Sequence, residues 1–435
     1  MKWSDHRARI VELDRQHVWH PYTQMQHYVS AVDPLVISRA EGSHLYDLNG
    51  RSYIDGNASW WTALLGHGHP RLTEALSRQA EHLAHASLAG ITHENAACLA
   101  RELVQVAPPG LARVFYSDDG STAVEVALKL ALQYWAQNGR PKRTRFVALD
   151  GAFHGETLGV TALGGVEVFR RPFASVIMEC IHVPPATDGH ELAFGALQQV
   201  LEDSADEVAA VVLEPVVQGA EGMRMYDPRY LRVARELTTG HDTLLVLDEV
   251  FTGYGRTGPM WAAQYADVSP DMLCTAKGFS GGMLPMAATL TTERLFEGFL
   301  GERSRAFLYG HTFCGNPLGA AVARAVLETY REEQILQKAQ PKAALISAAF
   351  SAMRELPGVT ATRSLGMVGA LDLKGDDGYL AERGWRVYEE ALQRGAYVRP
   401  LGNVVYVTPP LNIEDNTLKE LLEIVADSVR AAMTG

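Results

Sequence analysis

The sequence predicts an α/β protein, with a large domain on a mostly parallel central sheet and a smaller α+β domain. Three observations carry this reading. Short apolar runs at Val114 to Tyr116, Phe146 to Leu149, Ala209 to Leu213 and Leu244 to Leu247 alternate with helical stretches, the pattern of β-α-β units. Beyond Asn316 a long helical region comes first and strands follow, the segregation typical of an α+β unit. The chain has 435 residues, more than the roughly 100–200 of one ordinary domain.

Taken in order, the N-terminal segment MKWSDHRARIVELDRQHVWHPY alternates charged and apolar residues and reads as an extended arm. It lacks the apolar run of about 7–15 residues that a secretory signal needs. His44 to Tyr53 reads as a hairpin turning at Asn49-Gly50, a dipeptide that tolerates positive φ at both positions. His69-Pro70 opens a helix, because proline suits the first helical position. The α/β alternation follows. After it the sequence predicts a strand at Met367 to Leu373, a helix, strands at Tyr397 to Arg399 and Val404 to Val407, and an amphipathic helix from about Asn416. The expected division is 1–69 for the arm and small β unit, 70–330 for the large domain, and 331–435 for the C-terminal part of the small domain.

The formal net charge of −12 argues against a nucleic-acid surface, and no stretch is long and apolar enough to span a membrane. Cys98, Cys180, Cys274 and Cys314 are widely spaced, without a C-x-x-C pair, which fits a reducing compartment and hence the cytoplasm.

Three motif matches fail on context. Gly253-Tyr-Gly255-Arg-Thr-Gly258 follows a strand as in nicotinamide-dependent oxidoreductases, but Asp248 and Glu249 stand where a pyrophosphate would sit and no long helix follows. Gly278-Phe-Ser280-Gly-Gly282 matches a hydrolase nucleophile elbow, yet the next residues, GMLPMAATLTT, read as loop and strand rather than helix. His67 and His69 lack a third ligand at zinc-like spacing and read as structural, so no metal is expected.

Other residues combine better. Lys277 follows the apolar run Met272 to Ala276, where a lysine at a strand end is placed to form a Schiff base with a carbonyl cofactor. Asp248 ends TLLVLDEV, at the sheet edge where ligands of open α/β folds gather, and is placed to keep a pyridine nitrogen protonated. Gly120 and Ser121 lie in the turn Asp118 to Thr122 that leads into the helical run AVEVALKLALQYW, where the free amides of a helix start form a ready phosphate site and Ser121 adds a hydroxyl.

LDEVFTGYGRTG, AKG with Lys277, and GHTFCGNP at Gly310 to Pro317 together resemble the class III, fold-type I, pyridoxal-phosphate-dependent aminotransferases over essentially the whole chain. WHPYTQM at Trp19 to Met25, NASWWTALLGHGHP, and QGAEGMRMY at Gln218 to Tyr226 resemble the biotin-pathway branch of that family. The resemblance implies pyridoxal 5′-phosphate as cofactor and a ping-pong exchange between an amino donor and a keto acid, in a homodimer with shared sites. It makes Lys277 the Schiff-base lysine and Asp248 the partner of the pyridinium nitrogen. Gly120 and Ser121 would hold the phosphate, with Thr312 and the adjacent His311 arriving from the partner subunit. Phe153 would stack on the ring and Val250 pack opposite.

For substrate, the resemblance implies Tyr22, Trp60, Phe153 and Gly310 in the pocket and Arg399 on the keto acid's carboxylate; Tyr22 also counts among the catalytic residues. Trp61 and Tyr406 are weaker matches. The chain departs from the branch pattern at Phe153 (usually Tyr), Glu156 (usually Asp) and His311 (usually Pro). These departures bear on the donor, so adenosylmethionine and lysine stay open, and so does another class III ω-aminotransferase acting on a diamine, ω-amino acid or ornithine-like donor.

Overall fold

Runs such as Val208–Leu213 and Leu244–Asp248 are buried along their whole length, which suits only strands covered on both faces. In the computed structural model, which describes residues 3–187, 190–375 and 378–434, they lie inside a seven-stranded sheet. Its order is Leu111–Ser117, Ala287–Thr292, Met272–Thr275, Leu244–Asp248, Val208–Leu213, Arg145–Leu149 and Cys180–Val183. The last five are mutually parallel, whereas Ala287–Thr292 runs antiparallel to both neighbours.

The helix Gly120–Gln137 lies against this sheet through Ala123, Val124, Ala127 and Ala131, small residues that let its axis come close. Thr289 fixes the approach, donating its hydroxyl to the Ala123 carbonyl at 2.7 Å. Register decides the chemistry. Asp248 pairs with Cys274 on the adjacent parallel strand, so Asp248 and Lys277, three residues beyond Cys274, emerge at the same edge of the sheet.

A second sheet joins the two ends of the chain: Ile37–Glu41, His44–Asp47 and Ser52–Asp55 form a meander, and Ala396–Tyr397 pairs in parallel with Ser52–Asp55. A third, antiparallel sheet comprises Val359–Leu365, Val368–Leu373 and Val404–Val407. Helices Ile335–Met353, Arg383–Arg394 and Asp415–Thr434 pack around it. Among the described residues no helix is long and apolar enough to cross a membrane.

The structure corrects four local expectations. The N-terminal arm is helical rather than extended, over Trp3–His17 and Met25–Ala31. Its charges are ties and not merely a solvated face: Tyr28 donates to Asp14 at 2.6 Å, and Arg15 and Arg7 reach the Val32 carbonyl and Asp33. In the hairpin only Gly50 takes positive φ, +83°. Asp47 accepts from the Asn49 and Arg51 amides and so stabilises a wider loop than a two-residue turn. The strand expected at Tyr397 to Arg399 is only Ala396–Tyr397, leaving Arg399 beyond the ladder. Val359–Leu365 was not expected as a strand, because its polar VTATRS run pairs through Arg363 and Asp372 rather than through an apolar face.

Candidate active site

The carboxyl ends of the parallel strands open into a cavity of about 510 Å³. Tyr22, Trp60, Gly120, Ser121, Phe153, Asp248, Val250 and Lys277 all line it. Eight residues from six distant segments therefore meet in one place.

Lys277 follows the strand Met272–Thr275 and adopts φ +50°, a left-handed conformation uncommon for a residue with a side chain. Such conformations persist where surrounding structure enforces them. Its ammonium lies 5.0 Å from the Trp61 ring centroid. Burial pushes its pKa below the ordinary lysine value, against the pull of Asp248 and Glu214. A lysine so placed reaches its neutral, nucleophilic form more readily.

Asp248, 4% exposed, accepts the Val250 amide on Oδ1, and its Oδ2 lies 2.8 Å from His154 Nδ1. Burial lowers the pKa of His154, yet the hydrogen bond to Asp248 and the charges of Asp248 and Glu214 outweigh it and raise the value overall. Glu214, pushed up to about 7 chiefly by burial, accepts the Phe153 and Gly219 amides at 3.0 Å each. The backbone beneath the Phe153 ring is thereby fixed.

At the start of Gly120–Gln137, Asp119 and Thr122 form a reciprocal capping box. The first-turn amides of Gly120 and Ser121 have no intrahelical acceptor and suit an anion. A Cβ on Gly120 would come 2.7 Å from Val250 Cγ1, so glycine is required for this close approach. Ser121 Oγ accepts the Glu156 amide at 3.1 Å.

The outer wall is aromatic. Tyr22 packs edge-on to Trp60, with centroids 5.3 Å apart, and donates its hydroxyl to Glu156 at 2.6 Å. Burial and that carboxylate together raise the phenol's pKa well above its ordinary value. Trp60 belongs to a strained turn in which Ala58, Ser59, Trp60 and Trp61 all have φ between +44° and +74°. Asp55, fully buried, holds the turn by accepting the Ser59 amide at 2.7 Å and its hydroxyl at 2.9 Å, and lies 2.8 Å from His67 Nε2. Trp61, which also lines the cavity, donates to the Tyr406 hydroxyl at 3.2 Å.

Arg399 stands just outside the cavity lining, with its guanidinium 5.0 Å from the Trp60 ring. Gly310, His311 and Thr312 are not in the lining; His311 Nδ1 lies 2.9 Å from Asp118 Oδ2 of the same chain. The ring nitrogen is not aligned for a hydrogen bond there. A Cβ on Gly310 would meet nothing within 4 Å, so no steric need for glycine arises within one chain.

The side chains of the glycine loop, the serine loop and the histidine pair are engaged in local contacts. Arg256, buried in the glycine loop, donates to the Pro409 carbonyl at 2.8 Å, and Glu249 accepts from Thr252 and from the Ala262 and Ala263 amides. Ser280 donates to the Leu284 carbonyl. His67 and His69 turn to different carboxylates, Asp55 and Glu333.

The family described as aminotransferase class-III matches residues 26–429. The chain belongs to that family. The aminotransferase is 39% identical to the adenosylmethionine-8-amino-7-oxononanoate aminotransferase of Geobacter sulfurreducens, with 98% of each chain covered. It is 37% identical to the protein of the same name from Aquifex aeolicus, again over 98% of each. The crystal structure of the Methanocaldococcus jannaschii enzyme of that name superposes with a TM-score of 0.94 at 35% identity, covering 98% of this chain and 99% of that one. An amine transaminase from an uncultivated Pseudomonas species, solved with PLP bound, gives 0.88 at 31% identity, covering 95% and 98%. The architecture is thus the fold-type I α/β fold of pyridoxal-phosphate-dependent transaminases.

His154, Glu214, Phe169 and Tyr379 of this aminotransferase carry no signal of their place in the site in the sequence. His154 and Glu214 line the cavity and are bonded to Asp248 and to the Phe153 amide, and nothing in their spacing marks that. Phe169 and Tyr379 sit in segments without a motif, and only the fold brings them to the wall.

Proposed function

We propose that this aminotransferase moves the amino group of S-adenosylmethionine to 8-amino-7-oxononanoate, giving 7,8-diaminononanoate for biotin synthesis, with pyridoxal 5′-phosphate as cofactor. The observation that carries the catalytic part is the convergence of the depressed, left-handed Lys277 and the buried Asp248 on one cavity. The names of the relatives support the substrate pair.

The residues present fit the cofactor: a lysine amine, a buried carboxylate, two free helix amides and a cradle that a Cβ on Gly120 would fill. When bound, pyridoxal phosphate supplies the electron sink and carries the amino group between the two substrates. Lys277 would hold it through its amine and would serve as the proton-moving base. Asp248, oriented by His154, would meet the ring nitrogen with its carboxylate. Gly120 and Ser121 would bind the phosphate, and Phe153 and Val250 would pack against the ring.

Arg399 grips the carboxylate of the keto acid, a task suited to a bidentate guanidinium. Tyr22 and Trp60 wall the pocket that both substrates use in turn, and Glu156 gives its mouth a negative charge suited to a cationic donor. Gly310, His311 and Thr312 serve the partner subunit's site in a homodimer, which fits their position outside this chain's own lining. We read residues 70–330 as the large domain and the two ends as the small one, which the pairing of Ser52–Asp55 with Ala396–Tyr397 supports. The wide spacing of the cysteines favours the cytoplasm.

The test is product analysis. The purified protein with pyridoxal phosphate, S-adenosylmethionine and 8-amino-7-oxononanoate is expected to form 7,8-diaminononanoate, detected by mass spectrometry. Turnover only with ω-amino acids or simple diamines as donors would refute the assignment.

A further inference from the structure

Arg399 is held in an incomplete way. Its backbone amide donates to Asn57 at 2.6 Å, and its guanidinium lies near two indoles, 5.0 Å from Trp60 and 5.4 Å from Trp385. Among the described residues, the one hydrogen bond of the guanidinium is from Nη2 to the Tyr379 hydroxyl at 3.3 Å, and no carboxylate pairs with it. A guanidinium has five N–H donors, so most remain for a ligand. Indole faces attract the cation but leave it free to rotate, whereas a hydrogen bond is directional.

Tyr379 is itself anchored. It follows the strand Val368–Leu373 and lines the cavity, with its ring edge-on to Phe169 at 4.9 Å and an interplanar angle of 70°. Phe169 packs in the same manner on Tyr22 at 5.6 Å and on Phe153 at 5.7 Å. A continuous series of rings therefore runs from Phe153, which lines the cavity, to the residue that touches Arg399.

We propose that Tyr379 is a positioning residue for the acceptor: its hydroxyl sets the rotation of the Arg399 guanidinium, which then offers a fixed fork to a carboxylate at the end of a long apolar chain. The inference rests on the acceptor role of Arg399 given above. Phe169 and Tyr379 form the apolar wall along which that chain lies, so the preferred acceptor class is an unbranched keto compound with a remote carboxylate.

Tyr379→Phe keeps the ring packing and removes only the hydroxyl. In the holoenzyme, the KM for the keto acid is expected to rise roughly tenfold, the scale of one hydrogen bond to a charged group. The kcat and the donor half-reaction should stay near wild type. A chain-matched ketone without the carboxylate should react equally with both proteins. Arg399→Ala is measured alongside. If it impairs the acceptor half-reaction selectively while Tyr379→Phe matches wild type, the positioning role is overturned and the Arg399 reading stands. If Tyr379→Phe weakens both acceptors alike, the residue is only wall and the proposal fails. If Arg399→Ala is itself unselective, both fall.

Discussion

His154 Nδ1 lies 2.8 Å from Asp248 Oδ2, inside the protein, with neither side chain more than 5% exposed. The imidazole thereby fixes the orientation of the buried carboxylate at the sheet edge. Asp248→Asn is expected to retain cofactor but lose turnover by on the order of a hundredfold or more, the scale of removing one preorganised electrostatic contact. Unchanged single-turnover rates would count against the role given to Asp248.

The same pair has a pH signature in the apoprotein. Asp248 raises the pKa of His154, so its contribution to stability is fully present below the unfolded histidine value of about 6.5 and is lost as pH rises through the higher folded value. In Asp248→Asn the imidazole resonance should titrate at lower pH than in wild type. The stability gap between the two proteins should narrow as pH rises through the wild-type folded pKa. A His154 titration unaffected by the substitution would disprove the coupling.

Lys277→Ala is expected to lose the visible absorbance of a lysine-bound cofactor, together with its bleaching by borohydride. Retention of both would move the Schiff-base role elsewhere.

Gly120 tests the phosphate cradle by packing alone. Gly120→Ala brings a methyl against Val250, a clash of the kind that costs about 1–3 kcal/mol. Weaker cofactor binding is expected, and Gly120→Ala combined with Val250→Ala should recover part of it. A double variant no better than the single one would show that the glycine serves something other than this contact.

The left-handed turn carrying Trp60 and Trp61 depends on Asp55. Asp55→Ala removes the acceptor for the Ser59 amide and hydroxyl and the carboxylate beside His67. Loss of about 1–3 kcal/mol in denaturant unfolding is expected, since the hydrogen bonds of a fully buried carboxylate are removed. A change under 1 kcal/mol would mean that the strain is held by other contacts.

Much of this was legible in the sequence, for physical reasons that can be named. The buried strands Val208–Leu213 and Leu244–Asp248 are continuous apolar runs, and Lys277, Asp248 and Gly120 stand at strand or helix ends, where local pattern is most informative. The helical arm was not legible, because its ties from Tyr28, Arg15 and Arg7 reach across to other segments. Nor were His154 and Glu214, whose partners are 94 residues away in the first case and 61 in the second. Strain at Ala58 to Trp61 also leaves no mark in the residue types, since none of the four is glycine.

In the function proposed above, Lys277 and Asp248 in the cavity and Arg399 beside it serve one exchange, which takes an amino group from S-adenosylmethionine and gives it to a keto acid. The most direct measurement is the visible spectrum of the holoenzyme during separate half-reactions. S-adenosylmethionine alone should bleach the yellow form, and 8-amino-7-oxononanoate alone should then restore it. A spectrum indifferent to S-adenosylmethionine but bleached by lysine, or one not restored by the keto acid, would contradict it.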